Sequence, residues 1–141
     1  MKLIELVNSN SQVLTANQSL NLGIVDRKYA CGCNNLFSYV ANNTTLTING
    51  SGYYEIKVIA NLQGASANNV SLTLNGNGEE LQTETITTDT SSYNQVILNK
   101  VIRVYNNTCC VGTNLPYYIT ITNGANPTTI TNLNVIIEKV S

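Results

Sequence analysis

The sequence predicts an all-β protein, an antiparallel β-sandwich with the jelly-roll layout of roughly eight to ten strands. Three observations predict it. Short runs in which apolar and polar residues alternate recur along the 141 residues, which is the period of two expected of a half-buried strand. Asn-Gly pairs at 49–50, 75–76, 77–78 and 123–124 separate several of these runs, and such pairs supply the positive φ angles of tight turns. No segment shows a convincing helical period, and β-branched runs such as TETITTDT at 83–90 oppose a helix.

Taken in chain order, strands are predicted at residues 3–7, 12–15, 20–25, 36–41, 44–49, 53–62, 69–75, 81–87, 93–105, 117–123 and 131–140. The run at 53–62 is the clearest. Ile56, Val58, Ala60 and Leu62 fall on one face, and Glu55, Lys57 and Asn61 on the other. Pro116 and Pro127 stand at strand boundaries, where the missing N–H removes no ladder bond. The polar stretches 63–68 and 89–92 are of loop length. An immunoglobulin-like sandwich is the main rival, less favoured because the chain has no Trp and its cysteines are paired locally. The length fits one domain, 1–141, with the N-terminal strands and Cys-containing loop of residues 1–35 expected to pack on the sandwich.

Charged residues make up 11% of the chain and the net charge is −1, so Asn, Thr, Ser and Gln must solvate the surface. No basic footprint exists for nucleic acid or anionic lipid. The apolar run at the N-terminus is interrupted by Glu5, too short and too polar for the core of an export signal. No other run reaches the length of a membrane span. Asn-Xaa-Ser/Thr matches such as those beginning at Asn17, Asn42, Asn49, Asn69 and Asn106 are expected from composition alone.

Histidine is absent. That removes the imidazole ligands of a cupin-like metalloenzyme and the base of a conventional Ser or Cys hydrolase. Carboxylate catalysis would have to draw on Asp26, Glu55, Glu79, Glu80, Glu84, Asp89 and Glu138, and would need two of them facing across a cleft. Glu79 and Glu80 are adjacent and read as a solvated hairpin tip. No catalytic residue and no cofactor is therefore assigned, and the protein is expected not to be an enzyme.

The four cysteines form two local pairs, Cys31 and Cys33, then Cys109 and Cys110. Two loops bearing them could converge as a structural cluster. Crossed disulfides, free buried thiols and a four-thiolate zinc site all remain open, although neither pair has the usual spacing of structural zinc ligands. Of the eight tyrosines, one ring of Tyr53-Tyr54 and one of Tyr117-Tyr118 should enter the core while the other faces outward, to surface, to a subunit interface or as a sugar-binding shelf whose geometry nothing in the sequence fixes. Arg27, Lys28, Lys57, Lys100 and Arg103 are candidates for a cationic contact, and separated charges of this sort more often serve solubility.

The run TLTINGSGYYEIKV ending at Val58 resembles the turn, Gly, Tyr-Tyr and alternating strand of the tumour necrosis factor and complement globular-head jelly rolls. VSLTLNG at 70–76, VILNKVIRV at 96–104 and NLNVIIEKV at 132–140 are similar to further strands of that superfamily, so the resemblance covers residues 36–140. With Cys31-Gly-Cys33, Gly52-Tyr53-Tyr54 and Cys109-Cys110, the chain also resembles small stand-alone head decoration proteins of gut bacteriophages. The resemblance implies a homotrimer. It implies a structural virion protein, a capsid decoration, auxiliary or head-fibre protein on the phage head, made in the bacterial host cytoplasm and partnered by the major capsid protein or another virion protein. The alternative is a trimeric adhesin or a receptor- or glycan-binding module at a phage or bacterial surface. With a single Phe, Phe37, packing at a trimer axis would rely on Tyr, Ile, Val and Leu.

Overall fold

The computed structural model describes residues 1–30, 35–64, 68–107 and 112–141. Two antiparallel sheets face each other. The first contains β1 (Lys2–Asn8), β3 (Ile24–Tyr29), β6 (Gly52–Gly64), β9 (Asn94–Val104) and β13 (Thr128–Lys139), in the order β3-β1-β13-β6-β9, with β2 (Gln12–Leu14) paired to the start of β13. The second contains β4 (Phe37–Ser38), β5 (Leu46–Ile48), β7 (Asn68–Gly76), β8 (Glu79–Thr88) and β12 (Tyr117–Asn123), in the order β4-β5-β12-β7-β8. A short ladder joins β10 (Asn106–Asn107) to β11 (Gly112–Thr113). The jelly-roll sandwich expected from the sequence is the fold observed, and β1 is an interior strand of the first sheet.

The period of two explains the layering. Along β6 the buried residues are Tyr54, Ile56, Val58, Ala60 and Leu62, and they meet Val70, Leu72 and Leu74 of β7 with Ile119 and Ile121 of β12 in one core. Burying such a set of aliphatic side chains is the main favourable term in folding, at about 25 cal/mol per Å² of apolar surface. Phe37 and Tyr54 meet edge to face, ring centres 6.2 Å apart, the favoured geometry for aromatic quadrupoles.

Several expectations are corrected. The segment 20–25 is not one strand: Leu20 and Leu22 are buried in a connecting run, held by Leu20 N–H to Ile121 O and Leu22 N–H to Asn43 O. Gly23 then takes a φ of +82°, and β3 starts one residue later. The strand expected at 36–41 shortens to β4, and the following turn places Asn42 at a φ of +63°. Of the four Asn-Gly pairs, Asn77-Gly78 alone is a turn with positive φ at both residues, +50° and +80°. Gly50, Gly76 and Gly124 serve space instead, because a β-carbon there would meet Leu36, Tyr117 and Ser71 respectively.

Candidate functional site

The outward faces of the two sheets differ in chemistry. On the first sheet, register places Ile59 opposite Ile97, Glu55 between Val101 and Glu138, and Lys57 between Asn99 and Ile136. Ile97 and Val101 are 50% and 52% exposed. The face is mixed, with Ile59, Ile97, Val101 and Ile136 interleaved with Glu55, Glu138, Lys57 and Asn99. Its free edge, β9, runs beside β8, the free edge of the second sheet. Among the described residues these two strands, of eleven and ten residues, have a ladder partner on one side only, bridged where Asn99 N–H donates to Gln82 Oε1 at 3.0 Å, an arrangement that invites pairing or covering.

A polar cluster sits within the same face. Glu5 of β1 accepts hydrogen bonds from Asn134 Nδ2 at 2.7 Å and from Arg27 Nε, and its side chain is 13% exposed. The Asn134 amide, and after it the Arg27 guanidinium, hold the carboxyl below the ordinary carboxylate range. Arg27 is thereby engaged within the protein, as is Lys28, whose Nζ donates to Phe37 O at 3.0 Å. Arg103 lies 5.9 Å from the Tyr105 ring centre. Of the cations considered from sequence, Arg27 and Lys28 thus each make one internal contact while lying on an exposed strand.

The second sheet presents hydroxyls and amides. Ser71 bonds Thr85 at 3.0 Å, Thr73 bonds Thr83 at 2.9 Å, Thr87 donates to Asn69 at 2.8 Å and Asn75 donates to Thr122 at 3.1 Å. These cross-strand pairs tie β7 to β8 and β12. They form a hydroxyl- and amide-rich outer surface, joined at β8 by Glu80, which accepts from Thr83 Oγ1.

Each tyrosine pair divides as the alternation requires: Tyr54 and Tyr117 are buried, Tyr53 and Tyr118 exposed. Tyr54 donates to Gly50 O at 2.7 Å, and burial pushes its phenol up to about 12. Gly52, at a φ of +142°, packs against Lys139 and Ser141, which lets the chain enter β6 beside the C-terminus.

The candidate carboxylates do not converge on a cleft. Glu79, Glu80 and Glu84 are exposed on β8, Asp26 is exposed on β3, and Asp89 accepts bonds from Ser91 and Ser92 in its own loop. Glu55 and Glu138 are directly opposite each other, but on an open sheet face. Among the described residues no three His, Cys, Asp or Glu gather as a metal site. The cluster expected of Cys31, Cys33, Cys109 and Cys110 lies outside the described residues.

One feature escapes sequence reading. At the end of the second sheet Tyr118, Asn77, Asn114, Leu115 and the cis-linked Pro116 border an open cleft of about 440 Å³. Its sequence trace is only a Tyr-Tyr following a Pro, and the turn at Asn77, which forms the facing wall, is distant in the chain.

No protein-family model matches the chain, and no curated protein is similar to it in sequence. Solved structures are similar in fold. The globular domain of zebrafish complement 1qA protein superposes with a TM-score of 0.71 at 10% identity, covering 100% of this chain and 98% of that one. Eiger TNF from S. frugiperda gives 0.70 at 8% identity, covering 100% and 94%. PRD1 vertex protein P5 gives 0.58 at 11% identity, covering 99% and 97%. The order and register of the two sheets thus produce the jelly-roll fold shared by complement heads, tumour necrosis factor-like proteins and a vertex protein.

Proposed function

We propose that this protein is a non-enzymatic structural module of a virion, a homotrimer that decorates or completes a phage head. The observation that carries the reading is the outward face of the first sheet, where Ile59 pairs with Ile97, and Val101 and Ile136 add further apolar surface, beside the edge strands β9 and β8. A second copy seated there covers apolar surface and unpaired backbone in one contact. The likeness in fold to PRD1 vertex protein P5 supports a place on a virion, where the partner is the major capsid protein or another virion protein. Gly52, Tyr53 and Tyr54 mark the fold, and the exposed rings of Tyr53 and Tyr118 remain available to contacts.

Size-exclusion chromatography with light scattering tests the assembly. The expected mass is three times that of the chain. Ile97→Lys and Val101→Lys, both at exposed positions, are expected to release monomers with unchanged circular dichroism. A monomer at micromolar concentration in the unaltered protein overturns the trimer. Electron microscopy of native particles tests the attachment, and particles without the protein on the head overturn it.

A further inference from the structure

We infer that the cleft beside Tyr118 is a binding site for a neutral glycan, with the sugar stacked on the Tyr118 ring. This goes beyond the assembly reading and uses the opposite face of the sandwich. The residues that border the cleft, Thr113 included, carry no charge, so it offers nothing to hold a phosphate or a carboxylate. Tyr118 is 47% exposed, and its backbone is fixed by pairing with Thr47 of β5. An exposed ring of this kind supplies a flat apolar platform at low entropic cost, and the C–H face of a pyranose fits such a platform.

The walls are preorganised. Asn77 Nδ2 donates to Asn114 O at 3.1 Å, Asn77 Oδ1 accepts from Tyr118 N–H at 2.8 Å, and Asn77 N–H donates to Tyr118 O at 2.8 Å. Asn114 is in turn held by Tyr105 N–H at 2.7 Å and donates to Arg103 O at 3.2 Å. The side-chain amides that could collapse into the cleft are thus occupied in shaping it, and little ordering is left for a ligand to cause. From the Tyr118 position the sheet continues into Thr120, Thr122, Asn75 and Thr73, uncharged hydroxyls and amides that reach the Glu80 carboxylate only beyond Thr83. A sugar chain longer than one residue would therefore pass from the aromatic shelf onto groups that both donate and accept hydrogen bonds. The cleft is too open to enclose an apolar small molecule.

The test is NMR titration of the intact protein with cellohexaose, maltohexaose, xylohexaose, mannohexaose and chitohexaose, with heparin hexasaccharide as the charged control. At least one neutral hexasaccharide is expected to bind with millimolar affinity or better, shifting Tyr118, Asn77 and Thr120 amides. Tyr118→Ala is expected to weaken binding about tenfold or more, and Tyr118→Phe, which keeps the platform, to retain it. Both variants replace an exposed ring, and unchanged circular dichroism checks their fold. Ile97→Lys, on the other sheet, is expected to bind as the unaltered protein does, which separates this inference from the assembly proposal. Failure of every neutral sugar to bind, equal binding by Tyr118→Ala, or preference for heparin overturns the proposal.

Discussion

The hydroxyl of Tyr117 occupies the space where Gly76 would carry a β-carbon, 2.1 Å from that position. The two residues lie on adjacent strands, with the ring turned inward and lying over the glycine. Gly76→Ala must displace the ring and is expected to cost about 1–3 kcal/mol, as overpacking of a core does. Tyr117→Leu should relieve part of it, so that a double-mutant cycle by urea denaturation shows coupling of about 1 kcal/mol or more. Additive losses would disprove the contact.

Tyr54 predicts alkaline behaviour. Its phenol is raised from 10.0 to about 12 by burial, so the folded state holds it neutral at pH values where the unfolded chain ionises it. The stability it contributes is fully present below pH 10 and is lost as pH rises from 10 towards about 12. Tyr54→Phe should show a flatter stability profile in that window while losing about 1 kcal/mol at neutral pH, the worth of the bond to Gly50 O. Thermal melts from pH 8 upward check both effects.

Glu5 predicts the opposite limb. Its carboxyl is held below its ordinary value of 4.5, first by Asn134 and then by Arg27. The associated stability is present above pH 4.5 and falls away as pH drops through the lowered folded value. Glu5→Gln should therefore reduce the acid-side slope of stability without altering the alkaline side. Chemical denaturation at pH 6 and below measures this, and an unchanged acid slope would count against the cluster.

Asn132 marks a bulge. It sits at a φ of +53° where the pairing of β13 with β6 shifts between Thr131 and Asn134. Asn132→Val is expected to destabilise the fold by about 1–2 kcal/mol, because a β-branched side chain tolerates that conformation poorly. Asn132→Gly should cost little. Equal melting temperatures for the two variants would show that the backbone there is relaxed.

That same residue explains what sequence reading reached and what it missed. Alternation alone identified Tyr117–Asn123 in full and nearly all of Gly52–Gly64, since each strand buries every second residue without interruption. In β13 the buried residues Ile130 and Leu133 are three apart, a spacing that reads as a strand end until the bulge restores phase. The Asn-Gly pairs misled for a different reason: a glycine needed for the close approach of Tyr117 looks, in sequence, like one needed for a turn. The inward and outward division of Tyr53-Tyr54 and Tyr117-Tyr118 was legible from period two. The cleft beside Tyr118 was not, because Asn77 and Asn114 meet there from separate parts of the chain.

Strand β13 fills the slot between β1 and β6, with Lys2 opposite Lys139 at one end of the ladder. During synthesis, β1 emerges first and must wait for residues 128–139 before it gains that neighbour. The first sheet therefore closes only after β13 has been made, and contacts of such long sequence separation slow the search. Until then the apolar flank of β6 is unsheltered, which makes the interval between synthesis and closure the period in which this protein most needs protection from association with the wrong partner.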